Sequence, residues 1–315
     1  MLAARDVLWR SKLTLSILRT RFLLDPNGYT TAERKRLMEE LLKNLNNSPN
    51  KMEARQFIER YRKLAAETLP ENVINELLLQ INKLTPGSAE FSTSKRYLDF
   101  VLELPWKNAS KDVYDLKRTK QILDQHHYGM EEVKARVTEL LAVSQLTKSF
   151  AKGKVLALIG PPGTGKTTIA SSIAESLGRS FGSISVGGLW DISDLKGHRR
   201  TYLASMAGQL LRTIHQCKTK NPVILLDEVD KLARGSQVTT ALLEILDPAQ
   251  QAGFTDVWVD LPFDISNVLF ICTANWEEAI HPALKDRLEV VTLEGYLEAE
   301  KIQIAKLHLI PKCMK

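Results

Sequence analysis

Eight residues, Gly160-Pro161-Pro162-Gly163-Thr164-Gly165-Lys166-Thr167, fit the spacing G-x-x-x-x-G-K-[ST] of a phosphate-binding loop. Glycines let backbone N–H groups curl inward around negative oxygens where a side chain would clash. Lys166 can reach the β- and γ-phosphates of ATP, and Thr167 can place its hydroxyl on Mg2+. Thr168 opens the helical run that follows and belongs to the same phosphate cradle. A second acidic segment is needed, and Asp227-Glu228 supplies it in the form of a Walker B pair. Asp227 can hold the Mg2+ shell, and Glu228 can polarise the water that attacks the γ-phosphate. Asn275, at the end of another apolar run, can touch that water or the γ-phosphate through its amide. Arg287 has a permanent charge and a fork of donors, which suits it to stabilise a γ-phosphate, in many ring ATPases that of a neighbouring subunit. The plainer alternative for Arg287 is a surface ion pair with Asp286 or Glu289.

These residues need elements to bring them together. Val155–Ile159 is a short apolar run that reads as a buried strand, and Thr168–Ala174 has apolar positions at helical spacing. The loop therefore sits between strand and helix, with the positive end of the helix dipole beneath the phosphates. Residues 184–186, 222–226, 268–273 and 289–293 supply four more strands. Helices separate them, so the expected fold is α/β, with a parallel sheet covered on both faces. Ligands in such sheets lie at the carboxyl ends of the strands, where Thr167, Asp227, Glu228 and Asn275 all fall.

The rest of the chain reads as support. Of 315 residues, 44% are hydrophobic and 25% charged, with a formal net charge of +6. That charge permits a weak nucleic-acid contact without arguing for one. No apolar run approaches a membrane span. Cys217, Cys272 and Cys313 are too scattered for a disulfide framework or a zinc site, which points to a reducing compartment. Residues 1–24 are basic, hydroxylated and acid-poor, the signature of an organelle transit peptide; an ordinary helix is the alternative. Residues 25–126 read as a helical arm with breaks at Pro26, Pro49 and Pro86. The adjacent His126 and His127 lack a third ligand at metal spacing and read as a turn before the helix from Glu131 to Leu146.

Several strings are more specific than a generic ATPase. Gly187-Gly188-Leu189, Lys196-Gly197-His198-Arg199-Arg200-Thr201-Tyr202, Ala241–Pro248, Leu104-Pro105-Trp106 and His127-Tyr128-Gly129 resemble the Lon protease family from about Leu69 onward. The resemblance implies an AAA+ ATPase core over 127–293, the end of an N-terminal domain over 25–126, and the start of an α-helical lid over 294–315. It places His127, Tyr128 and Gly129 near the adenine, and makes Tyr202 and Leu203 the pore-loop pair that grips unfolded or damaged protein substrates. It implies a homohexamer, or assembly with full-length Lon subunits, feeding a Ser-Lys peptidase in the mitochondrial matrix, with the cytoplasm as the alternative. Met206-Ala207-Gly208 stands where the family has Met-Pro-Gly, Ser183 stands where an arginine is common, and 235–238 departs at the second pore loop. The expected function is the ATP-hydrolysing motor of protein quality control, with the rest of the lid and the peptidase residues absent from this chain. The alternative is a nucleotide-binding fragment that does not hydrolyse ATP and modulates full-length rings. An AAA+ motor acting on DNA is a third reading that the Lon-type strings disfavour.

Overall fold

The computed structural model describes residues 69–70, 72–74, 76–77, 80, 89–147, 155–200, 205–233 and 236–314. The reading of residues 1–24, and most of that of 25–88, lies outside them. The chain divides into two compact units, 1–106 and 107–315. In the first, helix α1 (Ala89–Glu103) buries Tyr97, Leu98, Val101 and Leu102, and the Trp106 indole N–H donates to the Val101 carbonyl at 2.8 Å.

The second unit is built on a five-stranded parallel sheet. Its strands are β1 (Val155–Ile159), β2 (Phe181–Ser185), β3 (Val223–Asp227), β6 (Leu269–Ala274) and β7 (Leu288–Thr292), in the spatial order β2-β3-β6-β1-β7. The inner strands β1 and β3 are near-continuous runs of Val, Ile and Leu, as a sheet covered on both faces requires, whereas the edge strand β2 reads Phe-Gly-Ser-Ile-Ser. One face carries helices α2 (Leu116–His126), α3 (Glu131–Thr147) and α4 (Lys166–Leu177). Leu123, Val137, Ile169 and Ile173 there pack with Leu158, Leu225 and Ile271 in one core. Helix α6 (Gln209–Cys217) packs on β2, and α7 (Gln237–Ile245) on the short α5 (Ile192–Lys196). A small antiparallel pair, β4 (Phe254–Thr255) and β5 (Pro262–Phe263), lies between β3 and β6 in sequence. Among the described residues no helix is long and apolar enough to cross a membrane.

Two element boundaries depart from the sequence reading, each for a local reason. Strand β2 ends at Ser185, and Val186 begins a 3-10 turn, Val186–Gly188. Gly187 packs so closely there that a β-carbon would lie 3.0 Å from the Lys231 side chain. The helix that the sequence spacing gives as Tyr296–Leu309 begins two residues later, as α10 (Glu298–Ile304), because the Glu300 carboxylate accepts from the Leu297 N–H at 2.8 Å and fixes the helix start. It continues through a π-helical turn, Ala305–Leu309. Helix α2 lies within the unit that begins at Lys107. The segment leading to it is tied down by a bidentate Arg179–Asp112 pair, both distances 2.7 Å.

Candidate functional site

The phosphate loop joins β1 to α4 as its spelling demands. Gly163 and Gly165 adopt φ values of +82° and +88°, which side chains resist. Gly160 passes so close to the next strand that a β-carbon would lie 2.2 Å from the Leu293 carbonyl oxygen. Thr164 is buried and its hydroxyl donates back to the Pro161 carbonyl at 2.9 Å, closing the loop. Pro161, Pro162 and the Thr167 and Thr168 side chains face outward. The glycines leave a cradle at the amino end of a twelve-residue helix, which fits a polyphosphate.

Lys166 holds the loop together from inside. Its ammonium donates to the Gly160 carbonyl at 2.6 Å, the Pro161 carbonyl at 3.0 Å and the Asn275 amide oxygen at 2.9 Å. Burial lowers its pKa from the ordinary lysine value, against the opposing pull of Asp227, Asp230 and Glu228. The loop and the end of β6 are thus in contact.

The acidic pair lies at the end of β3. The Thr273 hydroxyl donates to the Asp227 carboxylate and accepts from the Glu228 N–H at 3.2 Å. Glu228 takes a left-handed backbone, φ +62°, at a position where a glycine would be at ease. Such strain, on the order of 1–3 kcal/mol, persists where the surroundings over-determine it. Its carboxylate pairs with Lys231, three residues on, and that pairing raises the Lys231 pKa. Thr167 and Asp227 offer a hydroxyl and a carboxylate, the oxygen donors that a hard divalent cation takes.

Beside the loop lies a cavity of about 590 Å3, lined by His126, His127, Tyr128, Ser172, Glu175 and Tyr296 among others. Both imidazoles reach the Ser172 hydroxyl, His126 Nδ1 at 3.1 Å and His127 Nε2 at 3.0 Å. Gly129 follows at φ +65°. The Tyr296 hydroxyl donates to the Thr164 carbonyl at 3.2 Å, so the segment before α10 touches the phosphate loop.

Arg287 lies elsewhere. It directly precedes β7, and its carbonyl accepts from the Val155 N–H at 2.9 Å, at the start of β1. The phosphate loop begins at the other end of that strand, roughly 16 Å away at 3.3 Å per residue. That separation exceeds the length of an arginine side chain. The expected surface partners are also corrected. Arg287 donates to the Leu243 carbonyl and sits 3.7 Å from Asp247, while Glu289 pairs with Arg136. Asp286 caps the end of a short helix, its backbone N–H donating to the Pro282 and Leu284 carbonyls.

Tyr202 and Leu203, expected in the first pore loop, lie outside the described residues, and so does Gly235 of the expected second one. The base of the first loop is described: the His198 N–H donates to the Met206 carbonyl at 3.2 Å. Sequence reasoning brings Lys166, Asp227, Glu228 and Asn275 together, and the structure does so too. It misses Thr273, Asp230, Ser172, Glu175 and Tyr296. Thr273 was legible as a hydroxyl in an apolar strand end; the others carry no local signal.

The family model for the ATPase family associated with various cellular activities (AAA) matches residues 156–296. A model for Parvovirus non-structural protein NS1 matches residues 21–184, a span that includes the phosphate loop. The chain is 44% identical over 310 residues to Lon protease homolog, mitochondrial 1, of Dictyostelium discoideum, covering 95% of this chain and 32% of that protein. It is 46% identical over 268 residues to the Lon protease of Aquifex aeolicus, covering 83% and 34%. With the mitochondrial Lon protease homolog of Mus musculus it shares 46% identity over 258 residues, covering 81% and 27%. The chain spans about a third of the length of these relatives.

Proposed function

We propose a function from one premise: the chain belongs to the Lon protease family, of whose members it spans the AAA ATPase portion. Our reading is that residues 127–293 are the ATP-hydrolysing core, 294–315 the start of its lid and 25–126 the end of an N-terminal domain. The observation that carries it is the convergence of three strand ends, with Lys166 on Asn275 and Thr273 bridging Asp227 and Glu228.

Each residue then has a task. The N–H groups of 160–168 hold the phosphates of ATP, and the cavity beside His127, Tyr128 and Gly129 takes the adenosine. Lys166 leaves the Gly160 and Pro161 carbonyls for the β- and γ-phosphates. Glu228 leaves Lys231 to orient the attacking water and take its proton. Asn275, freed from Lys166, turns its amide to the same water. A Mg2+ ion held by Thr167 and Asp227 would supply charge neutralisation at the phosphates. Arg287, out of reach of its own loop, serves the γ-phosphate of a neighbouring copy, so the active form is a ring, a hexamer by family precedent.

The work done is the unfolding and pulling of damaged protein substrates by Tyr202 and Leu203 for degradation. An aromatic–aliphatic pair grips an extended chain without reading its sequence. The mitochondrial matrix is the compartment we favour over the cytoplasm, although both mitochondrial and bacterial relatives match. Any contact with DNA is weak and driven by the modest positive charge.

A second reading has its own support. A lone copy cannot bring Arg287 to its own phosphates, so the chain can instead bind ATP without turnover and modulate rings of full-length Lon subunits. Mg-dependent ATP turnover by the purified chain decides between them, with binding of a fluorescent ATP analogue measured alongside. The site assignment requires Lys166→Ala to lose that binding; unchanged binding would sink it.

A further inference from the structure

Asp230 is an acid for which the motor reading has no use. It sits in the 3-10 turn Val229–Lys231 that follows Glu228. One carboxylate oxygen, Oδ2, accepts two backbone N–H groups across the sheet, from Asn275 at 2.9 Å and Trp276 at 3.3 Å. The other, Oδ1, is buried and has no hydrogen-bond partner among the described residues.

The topology explains why an acid is needed there. Strand β6 outlasts its neighbour: the last pair of their ladder is Leu226 with Cys272, and the chain turns away at Glu228. The Ala274 carbonyl is taken on the β1 side, by the Gly160 N–H at 3.2 Å. Backbone groups alternate along a strand, so the next N–H, that of Asn275, faces the β3 side, where the strand has ended. Asp230 supplies the missing acceptor. Asn275 meanwhile gives its amide oxygen to Lys166, whose three donors are all in use.

We propose that Asp230 is a positioning residue: it clamps the backbone of Asn275 so that the amide passes from Lys166 to the reacting phosphate end of ATP by side-chain rotation alone. The proposal rests on the motor reading for its kinetics but not for the clamp itself. Without the clamp, release of Lys166 would loosen the whole end of β6, and the amide would be free but misplaced. The charge of Asp230 also acts on the Lys166 ammonium, opposing the effect of burial there.

The test compares Asp230→Ala, Asp230→Asn and Asn275→Ala in the 315-residue chain. Hydrogen exchange reads the clamp directly. Asp230→Ala speeds exchange of the Asn275 and Trp276 amides, and Asp230→Asn, which keeps an acceptor oxygen, restores most of the protection. Turnover reads the consequence. Asp230→Ala lowers kcat by about 10–100-fold with KM within about threefold, as loss of a group that orients another does. In an Asn275→Ala background the same substitution has little further effect, because there is no amide left to aim. Unchanged exchange at Asn275 and Trp276 overturns the proposal, as does a kcat loss that multiplies in full with that of Asn275→Ala. A wild-type chain that neither binds nor hydrolyses ATP overturns the motor reading instead, and the exchange measurement still decides the clamp.

Discussion

At the residue scale the site is held in a self-satisfied arrangement. Lys166 is bonded to its own loop and to Asn275, and Glu228 is paired with Lys231. Nucleotide must exchange these contacts for better ones, which makes the polar groups movable parts with defined resting positions. Glu228 is the sharpest case. Its left-handed backbone is strain that a structural residue would shed, for instance by substitution to glycine. Glu228→Gln keeps the size and hydrogen-bonding reach but removes the base. We expect it to bind the ATP analogue with wild-type affinity and lose turnover by about 10²–10⁴-fold. A variant that still turns over ATP at the wild-type rate would remove Glu228 from the chemistry.

At the element scale the base of the 198–206 loop depends on one buried acid. Asp256 accepts from the Gly208 N–H at 2.7 Å, the Trp258 N–H at 2.8 Å and the Val259 N–H at 3.0 Å. It thereby ties the start of α6 to the segment between β4 and β5. Burial pushes its carboxyl from 3.8 up to about 6, outweighing those three donors and the Arg212 charge. The folded value lies above the unfolded one, so the fold favours the protonated acid. The stability this contributes is full below about pH 4 and is lost as pH rises to about 6, a change on the order of 3 kcal/mol. Asp256→Asn has no charge to bury. Its urea midpoint should therefore fall less than the wild type's between pH 4 and pH 6, and identical slopes would contradict the account. Gly197 and Gly208 leave no room for alternatives here, since a β-carbon on either would lie within 2.5 Å of Asp256 or Leu195.

At the scale of the whole molecule, the parallel sheet separates the two ends of the chemistry. The phosphate loop, Asp227, Glu228 and Asn275 gather at the carboxyl edge, and Arg287 sits at the amino edge. On the proposed function a single copy carries an incomplete site, which head-to-tail association would complete. Specific ATPase activity should rise with protein concentration. Arg287→Ala should abolish that rise, with a loss of about 10³–10⁵-fold at saturation, while leaving binding of the ATP analogue intact. Activity that is flat with concentration and insensitive to Arg287→Ala would mean that Arg287 is only the tie to Leu243 and Asp247 that the structure displays.

The sequence by itself determined the strand–loop–helix frame, the parallel sheet and the gathering of Lys166, Asp227, Glu228 and Asn275 at its carboxyl edge. Each of these is encoded locally, by glycine spacing, by an apolar run ending in acids, or by helical period. Tertiary structure alone decided the rest. Nothing in the spelling of Asp230 says that its carboxylate will stand in for a strand that has ended before Asn275. Nor does the spacing of His126, His127 and Ser172 say that one hydroxyl will meet both imidazoles. Such partners lie about 45 residues apart in the chain; the order of the strands, with β6 between β3 and β1, makes Asp230 and Asn275 neighbours, and the packing of α2 on α4 does so for the histidines and Ser172. Arg287 is the clearest instance. Its type gives the chemistry it can do, but its position at the far edge of the sheet puts the phosphate loop of its own chain out of reach.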